Sequence, residues 1–254
     1  MKEKRFPTSY GVVKGSVFPE LKRSEIHVWG IWLDASEGFL EESVNYLSPN
    51  ELQRALRLRF REDKDRFIAG RAVLRSIVSK YLNLPPSKVE FQYGPHGKPR
   101  LTSPAGESRL EFNLSHTGDA ALIAISLTRR VGIDIEKIRD DISFMRLAER
   151  FFHPEEAATL RSLPPENLST AFFELWTRKE ACVKAMGIGL RTPLRRIRVS
   201  LDNESPQYVH APSHDGGKSG DWSIMPIEAP RDYAAAIAAQ GRGWSVSLFE
   251  WARE

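Results

Sequence analysis

SPNELQRALRLRFREDKDRFIAGRAVLRSIVSK, Ser48 to Lys80, and HPEEAATLRSLPPENLSTAFFELWTRKEACVKA, His153 to Ala185, align without a gap at an offset of 105. The shift sets Pro49 on Pro154, Phe67 on Phe172 and Val78 on Val183. Each stretch opens on Ser-Pro or His-Pro with an acid just behind it, Glu51 in one and Glu155 and Glu156 in the other. That is the signature of a helix start with proline in the first turn, so each stretch predicts a short helix followed by a longer one. Further along, an offset of 113 sets Asp119 on Asp232, the run ALIAIS on YAAAIAA, Arg129 on Arg242 and VGIDIEKI on WSVSLFEW, which read as strand, turn, strand. WGIWLD from Trp29 resembles VGIDIE as well, with Gly30 matched to Gly132 at an offset of 102. The collinear order of these matches implies an internal duplication. The expected fold is α+β, with two similar lobes in a pseudo-twofold arrangement, 25–128 and 129–254. Each lobe is an antiparallel sheet of three or more strands packed by a long helix, and the boundary between them is the natural place for a ligand cleft.

Composition narrows the function classes. The chain has 254 residues, 37 Lys plus Arg against 33 Asp plus Glu for a net charge of +4, and is 41% hydrophobic and 28% charged, the balance of a soluble globular protein. Its longest apolar runs, such as Ala120–Ile125 and Tyr233–Ala239, fall far short of the roughly 20 residues of a membrane-spanning helix. Residues 1–24 carry Lys2, Lys4, Arg5, Lys14, Lys22 and Arg23 without a continuous apolar stretch, which predicts a mobile tail and not a secretory signal. Cys182 is the sole cysteine, so no disulfide or thiolate cluster can form within the chain and the cytoplasm is the expected compartment. A pI near 9.2 on so small a net charge points to local basic patches for an anionic ligand or acidic partner, and away from a protein that coats nucleic acid. Asp202–Asp221, rich in Pro and Gly, predicts a mobile loop without an assigned function.

Along Val131 to Ile138 the period of two puts Asp134 and Glu136 on one face and Val131, Ile133 and Ile135 on the other. The two acids stand roughly 6.6 Å apart by strand rise, able to converge on one divalent cation. The same pattern fits a solvated strand edge. In Phe172–Gly187, Trp176, Glu180 and Lys184 follow at i, i+4 and i+8, which reads either as a surface acid–amine pair or, with the duplicated helices facing each other across the lobe boundary, as a third carboxylate approaching the Asp134 strand. FNLSHTGD, Phe112 to Asp119, holds Ser115 and His116. Without a GxSxG elbow these are not a hydrolase nucleophile and base; His116 can donate to a phosphate or cap its own turn. Lys98 and Arg100 lie in a Gly/Pro-held basic hairpin, Gly94 to Leu101. Arg54, Arg57, Arg59, Arg61, Arg66, Arg71 and Arg75 cluster densely, while His210 and His214 in a loop make no convincing metal pair. Cys182 reads as a packed small hydrophobe.

Together, GKPRL, FNLSHTGD, GIDIEKI and LWTRKEACVKAMGIGL resemble, in order and spacing, the 4′-phosphopantetheinyl transferases, specifically the larger, pseudo-dimeric type typified by the surfactin-synthetase activator. The resemblance runs from about Trp29 to the C-terminus. It implies transfer of the 4′-phosphopantetheine arm of coenzyme A to a serine of an apo acyl or peptidyl carrier protein, with release of adenosine 3′,5′-bisphosphate. It implies a Mg²⁺ site at Asp134, Glu136 and Glu180, with Glu180 or Glu136 as the base, and Lys184 on the pyrophosphate. It also implies Ser115 and His116 near the coenzyme A phosphates and Arg54 and Lys98 among the basic residues toward its adenosine-phosphate end, with Arg57, Arg66 or Arg71 taking the part of a further lysine. Glu51 stands where that resemblance expects a further lysine. The carrier's acidic surface would suit a basic cleft rim. An internally duplicated chain predicts a monomer, the second lobe replacing a second subunit. The competing readings are a magnesium-dependent phosphohydrolase, which would attack with water, and a non-catalytic anion-binding module.

Overall fold

Both copies of the duplicated segment fold as a short helix and a long one, and for the same local reasons. The computed structural model describes residues 5–13, 18–33, 36–94, 99–102, 110–187, 194–202, 206–211 and 220–252. The helices are α1 (Glu37–Val44), α2 (Pro49–Leu56), α3 (Arg61–Leu82), α4 (Phe144–Phe151), α5 (Pro154–Arg161) and α6 (Pro165–Met186). Ser48 and His153 each close a capping box, with Glu51 and Glu156 as the returning acid and proline in the first turn. The strands are β1 (Gly11–Val13), β2 (Glu25–Trp32), β3 (Phe91–Tyr93), β4 (Pro99–Leu101), β5 (Glu111–Thr117), β6 (Ala120–Ser126), β7 (Val131–Lys137), β8 (Gln207–Ala211), β9 (Gly220–Pro226), β10 (Tyr233–Gln240) and β11 (Ser245–Trp251).

Two main sheets result, in the orders β1-β11-β2-β6-β5 and β7-β10-β9-β8, beside a small β3-β4 hairpin. The runs β2-β6-β5 and β7-β10-β9 repeat one another. The sheets face each other across a core that includes Ile26, Val28, Leu122 and Ala124 from one and Val131, Ile133, Ile135 and Ile237 from the other. Helix α3 covers the opposite face of the first sheet through Val73, Leu74, Ile77 and Val78 against Trp29, Ile31 and Ile123. Helix α6 covers the second through Phe172, Leu175 and Val183 against Ala234, Ala236 and Ala238. The long helices therefore lie on the outside and do not meet across the lobe boundary.

Several expectations are corrected. The first sheet is mixed: β11 runs parallel to both β1 and β2. Because β11 ends the chain, the final strand of the expected 129–254 lobe belongs to the sheet of the other lobe. Residues 5–13 are not a mobile tail, since β1 pairs with β11, Phe6 and Tyr10 are buried, and the Tyr10 hydroxyl donates to the Glu228 carbonyl at 2.9 Å. Part of the expected Asp202–Asp221 loop is strand β8, paired antiparallel to β9. The pairing of Gly30 with Gly132 also fails. Register sets Trp29 opposite Ile123 on β6 and Asp134 opposite Ala236 on β10, so the strands correspond at 105, the offset of the helices. Gly30 faces the Phe6 ring in the inter-sheet core, whereas Gly132 faces helix α6. An offset of 102 would have swapped the two faces.

Candidate active site

β5 and β7 are edge strands of different sheets that run side by side, tied where the Ile133 N–H donates to Asn113 Oδ1 at 2.8 Å. That junction sets Ser115 against Asp134, and the serine hydroxyl donates to Asp134 Oδ1 at 2.8 Å. Gly132, two residues earlier on the same face, lets α6 approach: a Cβ there would collide with the Ala181 carbonyl oxygen and the Ala185 nitrogen. The close approach carries Glu180 and Lys184, one turn apart, over the Asp134 face. Lys184 Nζ lies 2.6 Å from Asp134 Oδ1 and 2.9 Å from Ser115 Oγ.

These residues line a cleft of about 540 Å³ together with His116 and Glu136, Trp176 from the same face of α6, Arg150 and Phe151 at the end of α4, and Leu194. Asp134 is 2% exposed, yet its Oδ2, like Glu180 Oε1, is buried without a hydrogen-bond partner. A buried carboxylate oxygen left open in a polar cleft is costly unless a ligand completes it. Burial, and next the Asp134 charge, push the Glu180 carboxyl up to about 7, with Lys184 opposing. Burial and Asp134 raise Glu136 as well, against Lys184 and a hydrogen bond from Thr117. Burial followed by the charges of Lys184, Arg71 and Arg66 lowers His116, which keeps its imidazole neutral at pH 7.

Three carboxylates facing one cleft are a donor set of the kind divalent magnesium takes. The two open oxygens fit such an ion. Among the described residues no three His, Cys, Asp or Glu side chains stand close enough to ligate one ion as they are arranged; here the Lys184 ammonium supplies the neutralising charge at Asp134.

Arg54 and Arg71 sit in the first lobe, around a neighbouring depression of about 400 Å³ lined by Asn50, Gln53, Arg54, Arg57 and Tyr93. The Arg71 guanidinium lies 5.4 Å from the Phe67 ring centroid and 5.6 Å from that of Tyr93. It is buried, its Nη1 has no hydrogen-bond partner, and its charge acts on His116. Lys98 lies outside the described residues, as does His214. Glu51 is not a ligand position: 1% exposed, it caps Ser48 and holds Arg75 Nη2 at 2.7 Å. Cys182 is fully buried with its thiol pushed up to about 12. It packs and does not react.

A family model described as the 4′-phosphopantetheinyl transferase superfamily matches residues 130–238, and one described as 4′-phosphopantetheinyl transferase, N-terminal, matches 31–128. Over 232 residues, 91% of this chain and 94% of its relative, the sequence is 40% identical to the 4′-phosphopantetheinyl transferase HetI of Nostoc sp.. The chain belongs to the 4′-phosphopantetheinyl transferase superfamily. It is also 30% identical to the 4′-phosphopantetheinyl transferase Sfp of Bacillus subtilis, over 75% of this chain and 88% of that one. At 30% identity it matches the human L-aminoadipate-semialdehyde dehydrogenase-phosphopantetheinyl transferase over 82% of this chain and 72% of that one. As a phosphopantetheinyl transferase, it moves the 4′-phosphopantetheine arm to carrier proteins. The phosphohydrolase and binding-module readings find no support among its relatives.

Sequence reading singled out seven of the cleft residues, Trp176 among them, and missed Arg150, Phe151 and Leu194. The signal for the first two was available, since FMRLAERF is a strongly amphipathic helix that places Arg beside Phe at its end. Leu194 follows a stretch outside the described residues, and nothing local marks it.

Proposed function

We propose that this cleft binds the pyrophosphate of coenzyme A with a magnesium ion, and that the carrier serine attacks there. The observation that carries the reading is the pair of open, buried carboxylate oxygens, Asp134 Oδ2 and Glu180 Oε1, beside the Lys184 ammonium in one cleft. Asp134, Glu136 and Glu180 would hold the ion, which when bound supplies charge neutralisation on the pyrophosphate leaving group. Lys184 holds a second positive charge at the same place and pairs with the pyrophosphate. Neutral His116 and the Ser115 hydroxyl donate to phosphate oxygens without adding charge. Arg71, whose guanidinium lies over the Phe67 and Tyr93 rings, and Arg54 face the adenosine-phosphate end, with Lys98 as a further basic contact.

The carrier serine must lose its proton as its oxygen bonds to the β-phosphorus and the bond to the bridging oxygen breaks, releasing adenosine 3′,5′-bisphosphate. Glu180, whose carboxyl faces the cleft beside Asp134 and Lys184, is the acceptor, with Glu136 as the alternative. Substrates of the fatty-acid, polyketide or nonribosomal-peptide class supply such a serine on an acidic acyl or peptidyl carrier domain. The chain acts as a monomer in the cytoplasm. Among the described residues no helix is long and apolar enough to cross a membrane.

Intact-mass spectrometry tests the reading: apo carrier proteins are incubated with the chain, coenzyme A and Mg²⁺. One phosphopantetheine arm on one serine, lost with a chelator and with Glu180→Gln, is the expected result. Hydrolysis of coenzyme A with every carrier unmodified would favour a magnesium-dependent phosphohydrolase instead.

A further inference from the structure

From the last turn of α2 into α3 the chain reads RALRLRFR, Arg54 to Arg61, and of its apolar residues only Ala55 is in the core. Leu56 is 71% exposed and Phe60 60%, with Leu58 beside them at 37%. Arg57, Arg59 and Arg61 alternate with them and are exposed, and the Arg59 guanidinium lies 5.3 Å from the Phe60 ring centroid. The acids that follow are engaged locally: Asp65 pairs with Arg61 at 3.6 Å and Glu62 with Arg66 at 3.7 Å.

Local structure does not account for this composition. Phe60 is the N-cap of α3 and contributes no capping bond there, whereas the Ser48 N-cap of α2 closes a full capping box. An exposed aromatic in a position that favours Ser, Thr, Asp or Asn breaks a local rule without a packing gain. Such violations concentrate where a partner binds.

The helix that the patch opens, α3, runs from it toward the cleft. Arg66, one and a half turns along α3, bonds Asp119 Oδ1 at 3.1 Å in the turn after β5, and Asp63 and Arg66 both act electrostatically on His116. A domain whose serine enters the cleft past His116 would meet this patch on its flank.

We propose that Leu56, Phe60 and Arg59 form a docking surface on the first lobe for an acidic amphipathic helix of the carrier protein, its apolar side on Leu56 and Phe60 and its carboxylates on Arg59 and Arg61. Apolar anchors ringed by arginine match such a helix in both hydrophobicity and sign of charge. The inference rests on the reading that the cleft accepts a carrier serine.

The test is steady-state kinetics of Leu56→Ser/Phe60→Ser and of Arg59→Glu. The substrate is an apo acyl or apo peptidyl carrier protein, whichever the unaltered chain modifies faster. Leu84→Ser, an exposed leucine 46% accessible beyond the far end of α3, is the control. The double variant is expected to raise the carrier KM by about tenfold, with kcat at saturating carrier, the KM for coenzyme A and the melting temperature unchanged. Arg59→Glu should do the same, with partial rescue by a carrier in which an acidic helix residue is replaced by lysine. A carrier KM within twofold of the unaltered chain overturns the docking surface while leaving transfer intact, as does an equal rise with Leu84→Ser. Sedimentation showing a dimer that the double variant dissociates would assign the patch to self-association and overturn the proposal. Failure of the unaltered chain to modify any carrier would overturn the transfer reading itself, and the docking surface with it.

Discussion

The chain contains its candidate site twice, once open and once closed. At the shared offset of 105, Asp134 corresponds to Trp29, Glu136 to Ile31, Glu180 to Arg75 and Lys184 to Ser79. In the first lobe the Trp29 indole and Ile31 fill the space that Asp134 and Glu136 leave to the cleft, and both are fully buried. Arg75 is used up internally: Nε and Nη2 bond Glu51 Oε2, and Nη1 bonds the carbonyls of Pro86 and Val89. Glu51 Oε1 alone stays unbonded there. In the second lobe the acid of α5, Glu156, instead takes Lys179, one residue before Glu180, at 2.7 Å. That shift of one position releases Glu180 toward the cleft. The same scaffold thus spends one long-helix residue on holding the lobe together and leaves its counterpart for a ligand.

The comparison breaks most visibly at Asp134. Asp134→Ala is expected to lower kcat/KM for carrier modification by roughly 10³-fold, while Trp29→Phe at the matching place leaves it within a few-fold, as turnover assays can read. The next effect is on stability and should be alike in the two lobes. Glu51→Gln and Glu156→Gln each leave a buried cation without its carboxylate, and each should cost about 3 kcal/mol in denaturant unfolding. The two glycines should then separate. Gly132→Ala meets backbone atoms of α6 and should cost about 3 kcal/mol and lower turnover as well, by lifting Glu180 and Lys184 from Asp134. Gly30→Ala meets the Phe6 ring at 2.6 Å, a side chain able to move, and should cost about 1 kcal/mol with turnover kept.

A further effect is pH-dependent and belongs to the open copy alone. In the folded chain Glu180 holds its proton to about 7, against an ordinary value of 4.5. The folded state therefore binds more protons between those values, and its stability falls as pH rises through the interval. In magnesium-free buffer Glu180→Gln should stabilise the chain above pH 7 by up to about 3 kcal/mol, and by nothing below pH 4.5. An equal gain at both pH values would contradict the assigned environment.

How far this was legible from the sequence differs by element. The duplicated helices and their starts are local patterns, and capping chemistry makes them readable. The Asp134 and Glu136 face follows from strand periodicity, and helical spacing puts Glu180 and Lys184 on one face of α6. Their approach to Asp134 does not follow from spacing: it comes from α6 packing on its own sheet at Gly132, and not from long helices facing each other across the lobe boundary. Gly30 was matched to Gly132 because identity outweighed parity, and only pairing with β6 and β10 shows which face each glycine presents. The crossing of β11 into the first sheet is a long-range pairing with no local sign. The anchoring of residues 5–13 was hidden for a related reason: Phe6 and Tyr10 lie in no periodic pattern, and each finds its place against distant strands. Glu51 stands at a position where the resemblance expects a ligand, and only its burial against Arg75 marks it as part of the frame.

The central claim is that Glu180 serves chemistry where Arg75 serves structure. The most direct measurement compares carrier modification by the unaltered chain, Arg75→Met and Glu180→Gln, by intact mass at a low temperature where circular dichroism shows all three folded. The account predicts that Arg75→Met, though less stable, modifies the carrier at a rate close to that of the unaltered chain, while Glu180→Gln, folded at least as stably, loses about 10²-fold or more. Modification by Glu180→Gln at the unaltered rate would contradict it.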